Sequence, residues 1–226
     1  ANDRVNVKVG RFAVGDDFAT EDCTFQNLAF CGSQPGNYVD SIYNGPVSQW
    51  AARIRYRIDP SLYVQIGAFN VNPWNLENDN GLKLNGAGTT GTLTPLEFVW
   101  QPRINSLPGE YRIGYYHSTV DSADVLKDEG GLPAARTGDA YRAHTSRHGF
   151  WVVGKQQLTS VNDSTTRGLS LVASATFQDR ATTPVDSYQK VSLIYSGPFD
   201  VRPRDELGFG IARVHASSHF LKNAQV

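Results

Sequence analysis

One ten-residue segment, 49–58, restricts the fold of this chain more than any other. Arg53, Arg55 and Arg57 alternate there with apolar or aromatic residues at positions 50, 52, 54, 56 and 58. A helix would spread the arginines around its axis, whereas a strand places them all on one face. The segment therefore predicts a β-strand with one apolar face and one positively charged face.

The same alternation recurs along the chain and predicts about nine strands with no convincing helix. The turn residues around Pro60 join the segment at 49–58 to the next strand as a hairpin, so we expect an antiparallel, all-β fold. The phase of the segment at 148–158 does not follow from its residues. The predicted strands lie near 5–10, 49–58, 62–68, 96–101, 111–116, 148–158, 169–177, 190–195 and 207–215.

Short and long connections alternate between the first six strands. Turn-like links at 59–61 and 105–109 contrast with long polar links at about 15–48, 70–94 and 119–147. Loops of that length are uncommon in compact soluble domains, whereas outer-membrane barrels combine short periplasmic turns with long extracellular loops. We therefore expect one partial β-barrel domain over 1–226, with those three links as extracellular loops.

Composition excludes several classes of protein. Lys and Arg total 21 against 22 Asp and Glu, a formal net charge of −1 that argues against a nucleic-acid-binding surface. No apolar run approaches the roughly 18 residues of a transmembrane helix. The chain begins at Ala1 with neither Met nor an apolar leader, so we expect either a processed chain or an internal piece of a longer one.

The alternation alone does not say which face meets water. In a soluble sandwich the apolar face points into a core, whereas in a porin it points out to lipid. Aromatic residues near the ends of the apolar faces favour the barrel, because interfacial girdles place such rings there. A soluble all-β carbohydrate-binding or adhesion module remains the alternative. The aromatic positions are Trp50, Tyr56, Trp100, Tyr111, Tyr115, Phe177 and Tyr195.

No motif predicts catalysis, a cofactor or a metal site. The glycines at 86–91 match a dinucleotide pattern but lead into a strand rather than a helix. The segment at 77–81 resembles part of a calcium loop without its first and last acidic ligands, so a turn is expected and incidental calcium binding stays open. His144 and His148 lie at a loop-to-strand boundary and are expected to be exposed to solvent.

The two cysteines, Cys23 and Cys31, lie eight residues apart in a polar stretch. They are suited to a small disulfide loop in an oxidising compartment, and free thiols are the alternative. Zinc would require more ligands than this neighbourhood offers.

The arginine row has a structural and a functional interpretation. It is either a solvated strand face or a positive ladder that projects into a pore. Guanidinium groups present fixed forks of donors, and Glu97 and Glu110 are candidate acceptors. An uncharged polyol needs such donors, acceptors and aromatic planes together, since it has no net charge to attract it.

Several strings closely resemble the carbohydrate-selective porins (OprB type) of Gram-negative outer membranes. They include KVGRF at 8–12, FQNLAFCGS at 25–33, PVSQWAAR at 46–53, VNP at 71–73 and GEYRIGYY at 109–116. The resemblance implies a 16-stranded barrel for passive, selective diffusion of monosaccharides such as glucose, with a narrow region of arginines, acidic residues and aromatics. It therefore assigns that role to Arg53, Arg55, Arg57, Glu97 and Arg112.

Gln65 and Lys190, on the polar faces of their strands, complete the predicted pore lining. The expected partners are a monosaccharide and outer-membrane lipids, without nucleic acid or cofactor, in a monomer or a homotrimer. Nine strands and the absence of a closing aromatic strand depart from a full family member. We therefore expect an internal portion of a sugar porin.

Overall fold

Nine long antiparallel strands form one sheet in the computed structural model, which describes residues 4–77, 80 and 86–225. Each pairs with the next of the nine along the chain, so the sheet is an up-and-down meander. This confirms the all-β fold and the predicted strands. They are β1 (Val5–Phe12), β2 (Gln49–Asp59), β3 (Leu62–Val71), β4 (Gly91–Trp100), β6 (Leu107–Ser118), β9 (Arg147–Gln157), β10 (Gly168–Gln178), β11 (Val185–Ser196) and β12 (Glu206–Ala216).

The remaining elements are short. Strand β5 (Arg103–Ile104) pairs with β6, and β7 (Ser122–Asp128) pairs with β8 (Tyr141–His144) inside the link from β6 to β9. The α-helices of the described residues are α1 (Pro35–Tyr38), α2 (Ala134–Thr137) and α3 (Ser218–Ala224), and short 3₁₀ helices lie at Val14–Asp16, Leu28–Phe30 and Pro73–Leu76. The sequence showed no helix at α3 because seven residues give little periodicity. In the structure, Ser217 caps it by accepting from the amide of His219.

Across the described ranges, no helix combines the length and the apolar character needed to cross a membrane.

The register of the sheet aligns the predicted polar residues on one face. Arg55 lies opposite Gln65, Gln65 lies opposite Glu97, and Glu97 lies opposite Gly114 on the next strand. Gly114 in turn lies opposite Trp151. Because a strand alternates its side chains, these positions point to the same side of the sheet, here called the inner face.

The opposite, outer face is apolar and exposed along the whole sheet. Phe150 and Val152 are on it while Trp151 is buried, which gives the phase of β9 that the sequence left open. A soluble module would bury such an apolar surface, so this phase is that of a strand in an outer-membrane barrel. Further large exposed residues of this face are Val7, Val9, Ile54, Ile66, Leu96, Phe98, Ile113, Val191, Leu193, Phe209 and Ile211.

Residues 13–48, here called the inner segment, pack against the inner face. Phe18 and Ile42 from this segment join a buried cluster with Phe69, Leu93 and Trp151 from the strands. The longest connection is therefore folded over the charged side of the sheet. The location of the three long links outside the cell remains a prediction.

Gly114 makes room for a side chain that links three strands. A Cβ at this position would lie 2.1 Å from Cζ2 of Trp151, whose indole passes over Gly114 and donates to Glu97. We predict that Gly114→Ala displaces the indole and destabilises the fold by about 1–3 kcal/mol, the usual range for overpacking. The measurement is the temperature at which the full-length protein loses its folded, fast-migrating form on an SDS gel.

Gly86→Ala is the matched control, since its Cβ would meet only Thr89 Oγ1, at an ordinary 3.7 Å. Equal transition temperatures for the two variants would contradict the role given to Gly114.

Candidate functional site

Asp17 of the inner segment pairs with three cations on β1 and β2. Its carboxylate lies 2.7 Å from Lys8 Nζ, 3.3 Å from Arg53 Nη2 and 3.7 Å from Arg55 Nη2. The Asp17 side chain is only 8% exposed, so these attractions are weakly screened by water. One carboxylate thus holds neighbouring cations together and ties the inner segment to the sheet.

Glu97 forms a second, fully buried centre. Its carboxylate accepts from the amide of Ala19 at 2.8 Å, Gln65 Nε2 at 2.9 Å, Arg112 Nη1 at 2.9 Å and Trp151 Nε1 at 2.7 Å. A buried carboxylate is costly unless it is both paired and hydrogen-bonded, and Glu97 meets both conditions. It therefore fixes the inner segment at Ala19.

Gln65 joins the two centres. Its Nε2 donates to the carbonyl of Asp17 at 2.6 Å as well as to Glu97, and its Oε1 accepts from Arg55 Nε at 3.0 Å. The orientation of the Arg55 guanidinium thus depends on the same network that holds the inner segment.

Further along, the inner segment is anchored on β9 and β11. Lys190 and Glu21 form an ion pair in which both side chains are almost completely buried. Burial raises the pKa of the Glu21 carboxyl, and the positive charge of Lys190 opposes that rise. Next to it, Lys155 Nζ lies 2.6 Å from Asp22 in a much more exposed pair.

A small disulfide lobe, residues 23–31, completes the anchoring. The structure joins Cys23 to Cys31, so neither sulfur is a free thiol. The rings of Phe25 and Phe30 lie over the backbone of β12, where a Cβ on Gly208 or Gly210 would come within 3.0 Å of them. Only residues without a side chain leave space for these rings.

The predicted pore-lining residues all lie on the inner face, but they separate into two groups. Arg53, Gln65, Glu97 and Lys190 are buried beneath the inner segment. Arg112 keeps partial access to solvent, as do Arg55 and Arg57. The Cζ atoms of these two arginines lie 4.4 and 5.7 Å from the ring centre of Tyr63. Contact of these residues with a sugar stays a prediction.

The acceptors differ from those that the sequence suggested for the arginine row. Glu97 and Glu110 both bind Arg112, at 2.9 and 2.8 Å. Asp17 is the carboxylate beside Arg53 and Arg55. Glu97 cannot serve the whole row because Gln65 lies between it and Arg55 in the sheet register.

A polar cleft of about 750 Å³ opens beside Glu110, towards the short turns. Charged and hydroxyl side chains line it and leave donors and acceptors facing the same space. These include Asp22, Glu110, Lys155, Gln157, Ser170 and Ser196.

Sequence reasoning missed Asp17, Glu21, Asp22 and Trp151. A usable signal was present, since four carboxylates fall within residues 16–22, at the start of the longest polar link. An acidic stretch beside a row of arginines is a candidate partner for it. Trp151 carried no such signal because the phase of its strand was unknown.

The histidine pair and the calcium-like segment were the other candidate motifs of the sequence. Where their residues are described, the side chains make contacts within the protein. His144 Nε2 lies 2.9 Å from Asp124 Oδ2, and the ring of His148 stacks on Tyr115 at a centroid distance of 6.3 Å. The described residues include no cluster of three or more metal-binding side chains. Of the calcium-like segment, positions 78, 79 and 81 lie outside the described residues.

An antiparallel meander with an apolar outer face and a charged inner face partly covered by its own chain is the architecture of an outer-membrane porin. The chain belongs to the OprB family of carbohydrate-selective porins, whose model matches residues 1–226. Members of this family are transport channels rather than enzymes, and the chain is accordingly placed in the Gram-negative outer membrane.

Known proteins support this membership. "Porin B" of Pseudomonas aeruginosa is 51% identical over 225 residues, which cover 98% of this chain and 50% of that protein. "Putative porin QuiX" of Acinetobacter baylyi is 40% identical over 92% of this chain and 46% of its own length. A solved structure, "High pH structure of Pseudomonas putida OprB", superposes with a TM-score of 0.95 at 53% identity, covering 98% of this chain and 53% of its own. The chain thus spans about half the length of these relatives.

We predict that Asp17→Asn loosens the inner segment, because Lys8, Arg53 and Arg55 then repel one another without a compensating charge. Residues 13–48 contain no Lys or Arg but several Phe and Tyr, so chymotrypsin reports on this segment and trypsin does not. Cleavage of the folded full-length protein within 13–48 should become at least about fivefold faster, which corresponds to about 1 kcal/mol of lost protection.

Asp139→Asn is the control, since Asp139 is an exposed aspartate in the link from α2 to β8. If both variants were cleaved at the wild-type rate, Asp17 would not be the anchor described above.

Proposed function

We propose that the whole channel allows passive, selective diffusion of monosaccharides such as glucose through a water-filled lumen lined by Arg, Glu and aromatic side chains. The observation that carries this proposal is the inner-face group of Arg55, Arg57 and Tyr63, with Arg112 and Glu110 beside it. The family and its relatives support the substrate class, since the family description is carbohydrate-selective and "Porin B" shares half of its length with this chain.

The geometry suits a polyol for a chemical reason. Arg55 is oriented by Gln65 and lies over the Tyr63 ring, so a planar group with several N–H donors is held in one place. Glu110 supplies an acceptor next to the donors of Arg112. A sugar hydroxyl both donates and accepts, and it can bind to this mixture without carrying a charge.

The two faces of the sheet indicate the partners of the channel. The solute is a monosaccharide at the inner face, and outer-membrane lipids lie against the outer face. The apolar residues of the outer face, from Val7 on β1 to Ile211 on β12, give those lipids a continuous surface. The channel acts as a monomer or as a homotrimer.

The proposal predicts that replacing both Arg55 and Arg57 by Ala lowers glucose selectivity. In liposomes that contain the full-length protein, the ratio of glucose flux to KCl conductance should fall at least about threefold, since donors for the sugar hydroxyls are lost and KCl needs no such hydrogen bonds. The same change should shift the reversal potential in a KCl gradient towards greater cation preference, because two positive charges leave the lumen.

Arg180→Ala is the control, since Arg180 lies in the link between β10 and β11 with an exposed side chain. Unchanged glucose flux and unchanged sugar preference in the double variant would refute the assignment of Arg55 and Arg57 to the lumen constriction.

A further inference from the structure

The inner segment differs in charge from the sheet that it covers. Residues 13–48 contain no Lys, Arg or His, so the segment brings only negative side-chain charges to the inner face. The strands beneath it carry most of the cations of that face. The segment therefore has a formal charge of −5, from Asp16, Asp17, Glu21, Asp22 and Asp40.

Four of these carboxylates pair with six cations on β1, β2, β9 and β11. The inner-face carboxylates that belong to the strands, Glu97 and Glu110, are both bound to Arg112. Without the inner segment, the six cations would have no acidic partner among the described residues. The pairs are Lys8, Arg53 and Arg55 with Asp17, Lys190 with Glu21, Lys155 with Asp22, and Arg147 with Asp40.

Two of the four carboxylates are exposed, and they lie at opposite ends of the strands. The Asp22 side chain is 70% exposed and lines the polar cleft towards the short turns. The Asp40 side chain is 77% exposed and lines a separate cavity of about 430 Å³ at the long-loop end. Their partners, Lys155 and Arg147, are both on β9, at positions that a strand separates by about 26 Å.

Charge on the wall of a narrow lumen acts on ions and on uncharged solutes in different ways. A wall with excess positive charge concentrates anions, and rings of Lys and Arg are used for this purpose in anion-selective pores. A carboxylate within a few ångströms of each cation cancels most of this field. An uncharged solute is little affected by the cancellation, since it carries no net charge.

We propose that the inner segment sets the charge selectivity of the channel, because its carboxylates cancel the cations of the inner face and so prevent the lumen from concentrating sugar acids and sugar phosphates. Asp22 and Asp40 are the specificity-determining residues, one at each end of the strands. The inference rests on the proposed function for its uncharged substrate, but charge selectivity can be measured with ions alone.

The test uses Asp22→Asn in the full-length protein, measured in planar bilayers with a KCl gradient. The permeability ratio of chloride to potassium should rise at least about twofold, because Lys155 then contributes an uncancelled positive charge. The ratio of gluconate to glucose flux in liposomes should rise with it. Asp40→Asn should act in the same direction, since it leaves the charge of Arg147 uncancelled. Both aspartates are exposed, so both variants should fold.

Asp139→Asn is the matched control, since it makes the same charge change in the link from α2 to β8 and should leave both ratios unchanged. Adding Lys155→Gln to Asp22→Asn removes the uncancelled charge and should return the chloride to potassium ratio to the wild-type value. A loosened inner segment would not be repaired by that second change.

Two outcomes would overturn the inference: wild-type permeability ratios in both Asp22→Asn and Asp40→Asn, or a ratio that stays raised after Lys155→Gln is added. Failure of the proposed function is a different result. If the wild-type protein passed no glucose but Asp22→Asn still raised the chloride to potassium ratio, the role of the inner segment would stand and the transport proposal would fail.

Discussion

The structure depends on pairing the charges of the inner face from within the protein. A strand with arginines at every second residue places them all on one side, where neighbouring positive charges repel and cannot be turned towards lipid. Asp17 provides the compensating charge for Arg53 and Arg55, and Glu97 provides it for Arg112. The inner segment is therefore part of the electrostatic structure of the sheet.

Because of this pairing, the charged residues of the inner face have two different roles. Arg53, Glu97 and Lys190 are buried and hold the inner segment, whereas Arg55 and Arg57 keep access to solvent beside Tyr63. A charge fully engaged with protein has few donors left for a solute, so the residues most suited to sugar recognition are the partly exposed ones. Their orientation still depends on the buried ones, because Gln65 contacts both Arg55 and Glu97.

The strands, and the phase of every long strand except β9, were predictable because side-chain direction along a strand is a local property. The position of the inner segment was not, since it depends on contacts between residues far apart in sequence, such as Ala19 with Glu97. A polar link has the same local pattern whether it covers a sheet or extends into water. For the same reason, the spacing of Cys23 and Cys31 was compatible with both a disulfide and free thiols, and the β7–β8 pair gave no periodic signal.

We propose that alternate side chains of β2 face water and lipid, with the arginines on the water side. Single cysteines at Ile54, Arg55, Tyr56 and Arg57 of the full-length protein in liposomes test it directly, through their reaction rates with a charged, membrane-impermeant thiol reagent. We expect fast reaction for Arg55→Cys and Arg57→Cys and slow reaction for Ile54→Cys and Tyr56→Cys. Equal rates at all four positions, or the reverse alternation, would contradict it.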